Sequence, residues 1–315
     1  MGFDALLGNR RLKENLTAAL AQGKAAHFYL LSGPTGSGKQ TLSRLLAAAA
    51  LCHHRDKPCL NCESCRKVMA GVHPDVITVR DPEHKTVPVR IIRQMREDVF
   101  IRPNEGDRKV YIFPQEMGIE GQNALLKILE EPPSYGFFLL LTDNADTILP
   151  TVRSRCVELT LQPLEAGLLE TVLGQEFPQA DRATLQAAIS RSGGFLGQAR
   201  ALLAGDMADS PQTESFVQAL CTDDALLLTR TLVPLEKWKR DALIPLLQQW
   251  TEILEGALVI RSGGTALSPL SARLAAVKNG SQLLEAITQL QKCTEYAQGN
   301  VSCAAICGYL QWTLR

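Results

Sequence analysis

The first half of the chain alternates short apolar runs with amphipathic segments. Five runs of four or five residues are rich in branched and aromatic side chains, a composition typical of buried β-strands. These runs lie at residues 27–31, 76–79, 110–113, 137–141 and 157–161. Amphipathic helices are predicted around them, at residues 11–22, 89–99, 122–131 and, briefly, near 148–153. Strands that alternate with helices predict an α/β fold, with a parallel five-stranded sheet between helices.

Beyond Pro163 the pattern becomes helical and no further strand is predicted. Three short helices are expected at residues 164–173, 182–192 and 195–203, followed by a polar linker at residues 205–212. Helical spacing then continues to the last residue, with interruptions at Pro234 and at residues 262–269. The pattern therefore predicts three domains: an α/β domain at residues 1–163, a small helical lid at 164–205 and an all-α domain at 206–315.

Charge and hydropathy restrict the function classes. The 33 lysine and arginine residues balance 33 aspartate and glutamate residues, so the formal net charge is +0. No overall field draws such a chain to nucleic acid, and any DNA contact must come from a local patch or from partner subunits. No apolar run approaches the ~20 residues of a membrane span, and the first residues do not resemble a signal peptide. We therefore expect a soluble, cytoplasmic protein.

The strand at residues 27–31 leads into a glycine-rich turn with the form of a phosphate-binding loop. A strand, a turn ending in Gly-Lys and a following helix are the context in which such loops occur. Glycines let backbone N–H groups curl around phosphate oxygens, and the helix N-terminus adds partial positive charge. The residues expected to contact a nucleotide are Gly33, Thr35, Gly36, Ser37, Gly38, Lys39, Gln40 and Thr41.

Two parts of a working hydrolytic centre are missing from the sequence. Gln40 stands where Ser or Thr would hold Mg²⁺, and Thr41 lies about 100° further around the helix. The strand at residues 110–113 ends in Pro114-Gln115, where carboxylates would bind the metal and activate water. Bound ATP or ADP is therefore possible, Mg²⁺ is doubtful, and hydrolysis is expected to be weak or lost.

Four cysteines form a compact cluster after the phosphate-loop helix, spaced C-x6-C-x2-C-x2-C. They are Cys52, Cys59, Cys62 and Cys65. Gaps of two residues let thiolates converge on one ion, and four sulfurs close a tetrahedral zinc site, so we predict one structural zinc. The odd total of nine cysteines argues against a disulfide framework. A mixed site including His53, His54 or His73 and an iron–sulfur cluster remain open alternatives.

Further motifs follow in a fixed order. They are His73-Pro74-Asp75, Lys109-Val110-Tyr111-Ile112, the eleven residues 123–133 (Asn-Ala-Leu-Leu-Lys-Ile-Leu-Glu-Glu-Pro-Pro) and Ser154-Arg155-Cys156. Together with the loop and the cysteine insert, this order resembles the AAA+ type clamp-loader subunits of bacterial DNA polymerase III. The resemblance is specific over residues 3–163, with weaker echoes at residues 193–199 and at Asn300-Val301.

The resemblance implies a subunit of a hetero-pentamer with gamma/tau and delta subunits, which opens the sliding clamp and places it on primed DNA. It implies that Arg155 is an arginine finger acting in trans at the ATP site of the adjacent gamma/tau subunit, and that Thr142 is a polar nucleotide sensor. The all-α domain would form a collar with the other subunits. The family's motor subunits carry an intact Lys-Thr and an Asp-Glu pair, and this chain departs at both places. Gly197 occupies the position of their nucleotide-sensing arginine.

Several alternatives remain open. The chain could be an active, motor-like P-loop ATPase, or a zinc-dependent module that binds DNA. Arg155 could simply cap the helix near residues 148–153. Four arginines could face DNA or form an ordinary solvated surface: Arg90, Arg93, Arg96 and Arg102.

Overall fold

The computed structural model describes residues 2–84, 86–204, 210–264, 268–299 and 301–314. Most of the predicted linker at residues 205–212 lies outside the described residues, as does Asn300. The chain divides into two compact units, Met1–Ala180 with Ser192–Arg200 and Asp181–Arg191 with Ala201–Arg315. The division into three domains stays a prediction.

The first unit contains the predicted five-stranded sheet, and every pairing in it is parallel. The strands are β1 (Phe28–Ser32), β2 (Val76–Thr78), β3 (Lys109–Phe113), β4 (Gly136–Thr142) and β5 (Val157–Thr160). Their order across the sheet is β2-β3-β4-β1-β5. Strands β1, β3 and β4 are buried at every position, as expected for central strands covered on both faces.

The described part of the chain contains fifteen α-helices. They are α1 (Arg10–Ala21), α2 (Lys39–Leu51), α3 (Glu63–Met69), α4 (Val89–Asp98), α5 (Ile119–Glu130), α6 (Pro150–Arg153), α7 (Ala166–Glu176), α8 (Arg182–Arg191), α9 (Leu196–Ala204), α10 (Pro211–Thr222), α11 (Ala225–Leu232), α12 (Arg240–Arg261), α13 (Pro269–Val277), α14 (Gly280–Gln298) and α15 (Cys303–Thr313). Short 3-10 helices lie at Ala145–Thr147 and Val233–Lys237. None of the described helices is both long and apolar enough to cross a membrane.

The two faces of the sheet support separate cores. Successive side chains of a strand point to opposite faces, so Val110 and Ile112 of β3 pack on the side of α2 and α3. Tyr111 and Phe113 pack on the side of α4 and α5. The sheet is therefore covered by helices on both faces, which confirms the α/β fold expected from the sequence.

Helices are the regular elements of the second unit over its described residues, which confirms the helical pattern predicted for this part of the chain. Its core centres on Trp250, whose ring stacks on Phe216 at 3.8 Å between centroids. The buried Trp250 Nε1 donates to Thr213 Oγ1 at 3.1 Å, so the indole N–H is not left unpaired. Cys293 and Cys307 lie fully buried in this core, as small apolar residues do.

Strand register brings distant segments together at one edge of the sheet. Ser32 of β1 pairs with Thr142 of β4 and with Thr160 of β5. Parallel strands end at the same edge, so the residues after β1, β3 and β4 are neighbours, and ligands bind at such edges in open α/β sheets. The glycine-rich turn, Pro114 and Asp143 follow these three strands.

Candidate functional sites at the sheet edge, the cysteine insert and Arg155

The turn between β1 and α2 has the backbone that a phosphate loop requires. Gly33, Gly36 and Gly38 have φ angles of 148°, 80° and 100°, a region that other residues rarely adopt. Helix α2 begins at Lys39, directly after Gly38, so its N-terminal N–H groups carry partial positive charge at the turn. Residues 35–41 line a cavity of about 530 Å³ together with Asp143, Gly197 and Arg200.

Lys39 is held by three acceptors within the first unit. Its ammonium donates to the carbonyl oxygens of Gly33 (2.5 Å) and Pro34 (2.9 Å) and to Asp143 Oδ1 (2.6 Å). Thr35 Oγ1 donates to the other oxygen of Asp143 at 2.6 Å. Burial alone would raise the pKa of Asp143, but the hydrogen bonds from Lys39 and Thr35 lower it below its ordinary value. An internal carboxylate therefore binds the cation and the hydroxyl that were predicted to contact phosphate.

The end of β3 carries an amide that is fully used in holding the backbone. Gln115 Oε1 accepts from the N–H of Asp81 at 2.9 Å, and Nε2 donates to the carbonyl oxygens of Asp81 (3.1 Å) and His84. Glu116 is exposed and lines a smaller cavity, of about 340 Å³, beside Lys39. The two positions after β3, Pro114 and Gln115, thus carry a proline ring and an amide bound to the backbone, and neither supplies a carboxylate.

The loop's residues fit an anion better than they fit a metal ion. The Ser37 hydroxyl is buried and has no hydrogen-bond partner among the described residues, so a polar group is available inside the turn. Gln40 and Thr41 are both exposed at the start of α2 and line the larger cavity. Magnesium prefers hydroxyl and carboxylate oxygens, and neither Gln40 nor Gln115 supplies one. The loop is therefore compatible with a nucleotide's phosphates, whereas Gln40 and Gln115 are poor ligands for Mg²⁺.

The start of α9 lies directly on the phosphate loop. The N–H of Gly197 donates to the carbonyl oxygen of Gly36 at 2.9 Å. A Cβ added to Gly197 would lie 2.5 Å from Gly36 Cα, so only glycine allows this approach. Arg200, one helical turn further on, lines the cavity and is bound by Glu176 at 2.7 and 2.5 Å. Sequence reasoning missed Arg200, although its spacing of three residues from Gly197 places both on one face of α9.

Thr142 is buried at the end of β4, next to Asp143. Its hydroxyl donates to the carbonyl oxygen of Asn144 at 2.8 Å and accepts from the Asn144 N–H at 3.2 Å. It also lies 3.4 Å from Thr147 Oγ1. The hydroxyl shapes the turn that follows β4, and its role as a nucleotide sensor stays a prediction.

The four cysteines of the insert converge as predicted. One sulfur from each of Cys52, Cys59, Cys62 and Cys65 lies within 4.8 Å of all the others, and the Sγ atoms of Cys59 and Cys65 are 4.0 Å apart. Four sulfurs around a tetrahedral zinc lie about 3.8 Å from one another. The N–H of Cys62 donates to Cys59 Sγ at 3.3 Å, and the N–H of Cys65 donates to Cys62 Sγ at 3.5 Å. The cluster is therefore compatible with a zinc site.

Hydrogen bonding and burial differ among the four cysteine sulfurs, and the pKa values of the Cys52 and Cys59 thiols differ with them. Backbone N–H groups of Asn61 and Cys62 lower the pKa of Cys59 to about 6 against a smaller opposing effect of burial, whereas burial raises the pKa of Cys52. The nearby histidines do not join the cluster among the described residues. His73 is buried and its Nδ1 accepts from the N–H of Asp75 at 3.1 Å, while His53 lies 3.7 Å from Asp107. A donor set of four sulfurs fits this geometry.

Two arginines near the short helix α6 have different surroundings. Arg153 is bound on both sides, to Glu158 at 2.9 Å and to Asp146 at 3.2 Å. Arg155 donates from Nη1 to the carbonyl oxygen of Thr151 at 2.9 Å and from Nη2 to Glu130 at 3.1 Å. Its side chain is 39% exposed. We call Glu130, Thr151 and Arg155 the Arg155 corner.

The Arg155 corner is fixed to α5 through a buried amide that sequence reasoning also missed. Gln122 Nε2 donates to the carbonyl oxygens of Met117 (3.0 Å) and Thr147 (3.1 Å). Its Oε1 accepts from the N–H of Leu149, directly before α6, at 2.7 Å. Next to Arg155, Cys156 packs against the core, and burial raises the pKa of its thiol to about 12. The backbone that carries Arg155 is thus held from two sides.

Half of the chain matches a family of known proteins. Residues 8–165 match the family model described as DNA polymerase III, delta subunit. The chain is 32% identical over 236 residues to DNA polymerase III subunit tau of Bacillus subtilis (strain 168). This alignment covers 72% of this chain and 40% of that protein. It is 37% identical over 176 residues to DNA polymerase III subunit delta' of Pseudomonas aeruginosa. This second alignment covers 54% of this chain and 53% of that protein. The chain spans about half the length of the relatives it matches.

Among solved structures, the chain is similar to a DNA polymerase III gamma subunit-related protein from Thermotoga maritima. The two share 18% sequence identity and a TM-score of 0.44 over 96% of this chain and 99% of that chain.

Proposed function

Because this chain belongs to the clamp-loader family of DNA polymerase III, we propose that it acts as the delta-prime subunit of a clamp loader. In this role it would help to load the sliding clamp on primed DNA during replication. It would bind nucleotide weakly or not at all, hydrolyse none, and donate Arg155 to the ATP site of an adjacent gamma/tau subunit. Its partners would be gamma/tau and delta in a hetero-pentamer.

The end of β3 carries the argument for lost hydrolysis. Phosphoryl transfer needs carboxylates or equivalent groups that hold the metal and position the attacking water. Here Gln115 occupies that region and uses both ends of its amide on the backbone of Asp81 and His84. Replacing Gln40 alone would therefore not restore the reaction. The same feature speaks against the motor-like alternative.

The chemistry assigned to Arg155 is electrostatic. A guanidinium placed against a transferring phosphoryl group stabilises the charge that develops in the transition state, and it supplies bidentate geometry that an ammonium lacks. Such fingers contribute on the order of 10³–10⁵ in rate in well-studied GTPases. Arg153 is bound to Glu158 and Asp146 and would brace the backbone rather than reach a partner.

The test is pre-steady-state ATP hydrolysis by the reconstituted gamma/tau, delta and delta-prime assembly with clamp and primed DNA. With Arg155→Ala, the fast phase should lose the amplitude of one ATP site while the assembly stays intact in gel filtration. Arg11→Ala, a change at an exposed position of α1, is the control and should keep the full amplitude. The isolated chain, assayed alongside, should be inactive. Turnover by the isolated chain together with an unchanged Arg155→Ala assembly would favour the motor-like alternative.

We assign the four cysteines to one structural zinc ion. A closed set of four sulfurs leaves no open coordination position for catalysis, so the metal would stabilise the insert between α2 and α3. Metal analysis should find one zinc per chain. Cys62→Ser should lose the zinc and lower the melting temperature, whereas Cys221→Ser, in α10, should retain it. Iron in place of zinc would overturn the assignment.

The helical segments complete the proposal. Residues 164–205 would act as the lid, and the all-α region would form the collar that joins the other subunits. Co-expression with gamma/tau tests the collar: deletion from Pro211 onward should abolish co-purification, whereas Arg155→Ala should not. A truncated chain that still co-purifies would assign assembly to the α/β unit.

A further inference from the structure

The position of Glu130 is unusual for a helix. It is the last residue of α5, and Glu131 follows it. The carbonyl end of a helix carries partial negative charge, so a carboxylate there is repelled unless a cation lies close. Arg155 supplies that cation, with Nη2 at 3.1 Å from Glu130 Oε1. The ion pair joins Glu130 to Arg155 across 25 positions of sequence and offsets that repulsion.

The contacts of Arg155 leave part of its guanidinium available. An arginine has five N–H donors in a planar fork. Nη1 is engaged with the carbonyl oxygen of Thr151 and Nη2 with Glu130, while the side chain remains 39% exposed. Two of the five donors are thus engaged, and the other three have no hydrogen-bond partner in the described part of the chain. This arrangement orients the group without covering it.

We propose that Glu130 is a positioning residue for Arg155: it holds the guanidinium in the orientation from which the group meets phosphate at the neighbouring subunit. This inference rests on the proposed trans role of Arg155 and adds the residue on which that role depends. A long side chain loses much rotamer freedom when it is fixed in a site. Glu130 and the Thr151 carbonyl fix it before the partner arrives.

The strength of the pair suits this task. The Glu130 side chain is 54% exposed, and ion pairs between exposed groups are weak. A weak pair biases the orientation of Arg155, yet it can rearrange when phosphate oxygens compete for the same donors. Lys39 at the phosphate loop differs, because its side chain is only 10% exposed and its three donors are all engaged by Asp143 and two carbonyl oxygens.

The experiment compares Glu130→Gln with Glu131→Gln in the reconstituted assembly. Glu131 is exposed and adjacent, and its carboxylate makes no ion pair among the described residues. Glu130→Gln should slow the phase of ATP hydrolysis served by this chain roughly three- to tenfold. The amplitude of that phase should remain, because a misplaced Arg155 guanidinium lowers the rate at the ATP site but does not remove the site. Glu131→Gln should leave rate and amplitude unchanged, and both variants should keep the wild-type melting temperature.

The double variant Glu130→Gln/Arg155→Ala should be no slower than Arg155→Ala, because Glu130 acts only through Arg155. Glu130→Asp, which keeps the charge on a shorter stem, should recover part of the rate. If Arg155→Ala removes the phase while Glu130→Gln leaves its rate unchanged or raises it, the positioning role is wrong and the trans role stands. If Arg155→Ala itself has no effect, the proposed function fails first.

Discussion

The phosphate loop and the Arg155 corner each carry a cation suited to phosphate, but the two cations have opposite surroundings. The side chain of Lys39 is 10% exposed and donates to two carbonyl oxygens and a carboxylate, all from its own unit. The side chain of Arg155 is 39% exposed and donates to one carbonyl oxygen and one carboxylate. An ammonium has three donors and all are used, whereas a guanidinium has five.

Under the proposed function, this difference would let the chain lack hydrolysis at its own loop and still offer a cation to a neighbouring subunit. The loop retains its glycines and its helix, which the packing of β1, α2 and α9 requires, while the groups for metal and water are replaced. The Arg155 corner needs only a fixed backbone and an outward cation. Different residues specify the two sites, so a change at one need not alter the other.

After the removal of Arg155 itself, the largest expected effect comes from changing Arg155 while keeping its charge. Arg155→Lys should slow the adjacent ATP site on the order of 10²-fold, since lysine cannot reach both Thr151 and Glu130 while facing phosphate with a bidentate fork. The measurement is the fast hydrolysis phase of the assembly. Arg11→Lys serves as the control and should be neutral. Full activity of Arg155→Lys would mean that charge alone suffices and that the geometry of the corner is irrelevant.

A second change tests whether the phosphate loop is held closed by α9. Gly197→Ala should destabilise the protein by about 1–3 kcal/mol, because the new Cβ would lie 2.5 Å from Gly36 Cα and the loop must shift. Chemical denaturation measures this free energy. Gly167→Ala in α7 is the matched control: nothing lies within 4 Å of its Cβ position, so the change should be neutral or stabilise the helix by up to ~1 kcal/mol.

If Gly197→Ala matched Gly167→Ala in stability, α9 would not rest on the loop in solution. The cavity lined by residues 35–41 would then be more open on the side of α9 than the structure shows.

Sequence patterns predicted the fold well where the signal is local. The predicted strands at residues 110–113 and 137–141 appear as Lys109–Phe113 and Gly136–Thr142, and the other three also match to within a residue or so. Apolar runs are continuous in these strands because both faces are covered. The glycines of the loop and the convergence of the four cysteines likewise follow from short spacings.

The decisive contacts of the sites depended on pairings that no spacing reveals. Asp143 meets Thr35 and Lys39 across 108 and 104 positions, and it does so only because β4 lies beside β1 in register. Glu130 meets Arg155 because α5 and α6 pack together. The motifs located both Arg155 and Lys39 in the sequence. Which groups bind each cation, and how exposed it is, depends on how the strands and helices pack in the folded unit.

The pH dependence of stability tests the pairing of Asp143 directly. Its pKa in the folded state lies below the ordinary value of 3.8, so the pair contributes stability above the unfolded pKa, which is lost as pH falls through the folded one. Asp143→Asn should therefore be less stable than wild type near neutral pH, by under about 1 kcal/mol, and the two should converge in strong acid. In a Lys39→Ala background, most of this difference should vanish. A difference that stays constant down to strong acid would exclude a charged pair.

The smallest effect is expected from removing Lys39 itself. In a nucleotide-binding phosphate loop this lysine reaches the outer phosphates. Here its ammonium is engaged by Gly33, Pro34 and Asp143, so Lys39→Ala should change hydrolysis by the assembly less than about twofold while Arg155→Ala removes a whole phase. The same ATPase assay, run on both variants in parallel, measures the ratio. An equal loss in both would mean that the loop exchanges Asp143 for nucleotide during clamp loading, and that the inward cation is a resting state rather than a lost function.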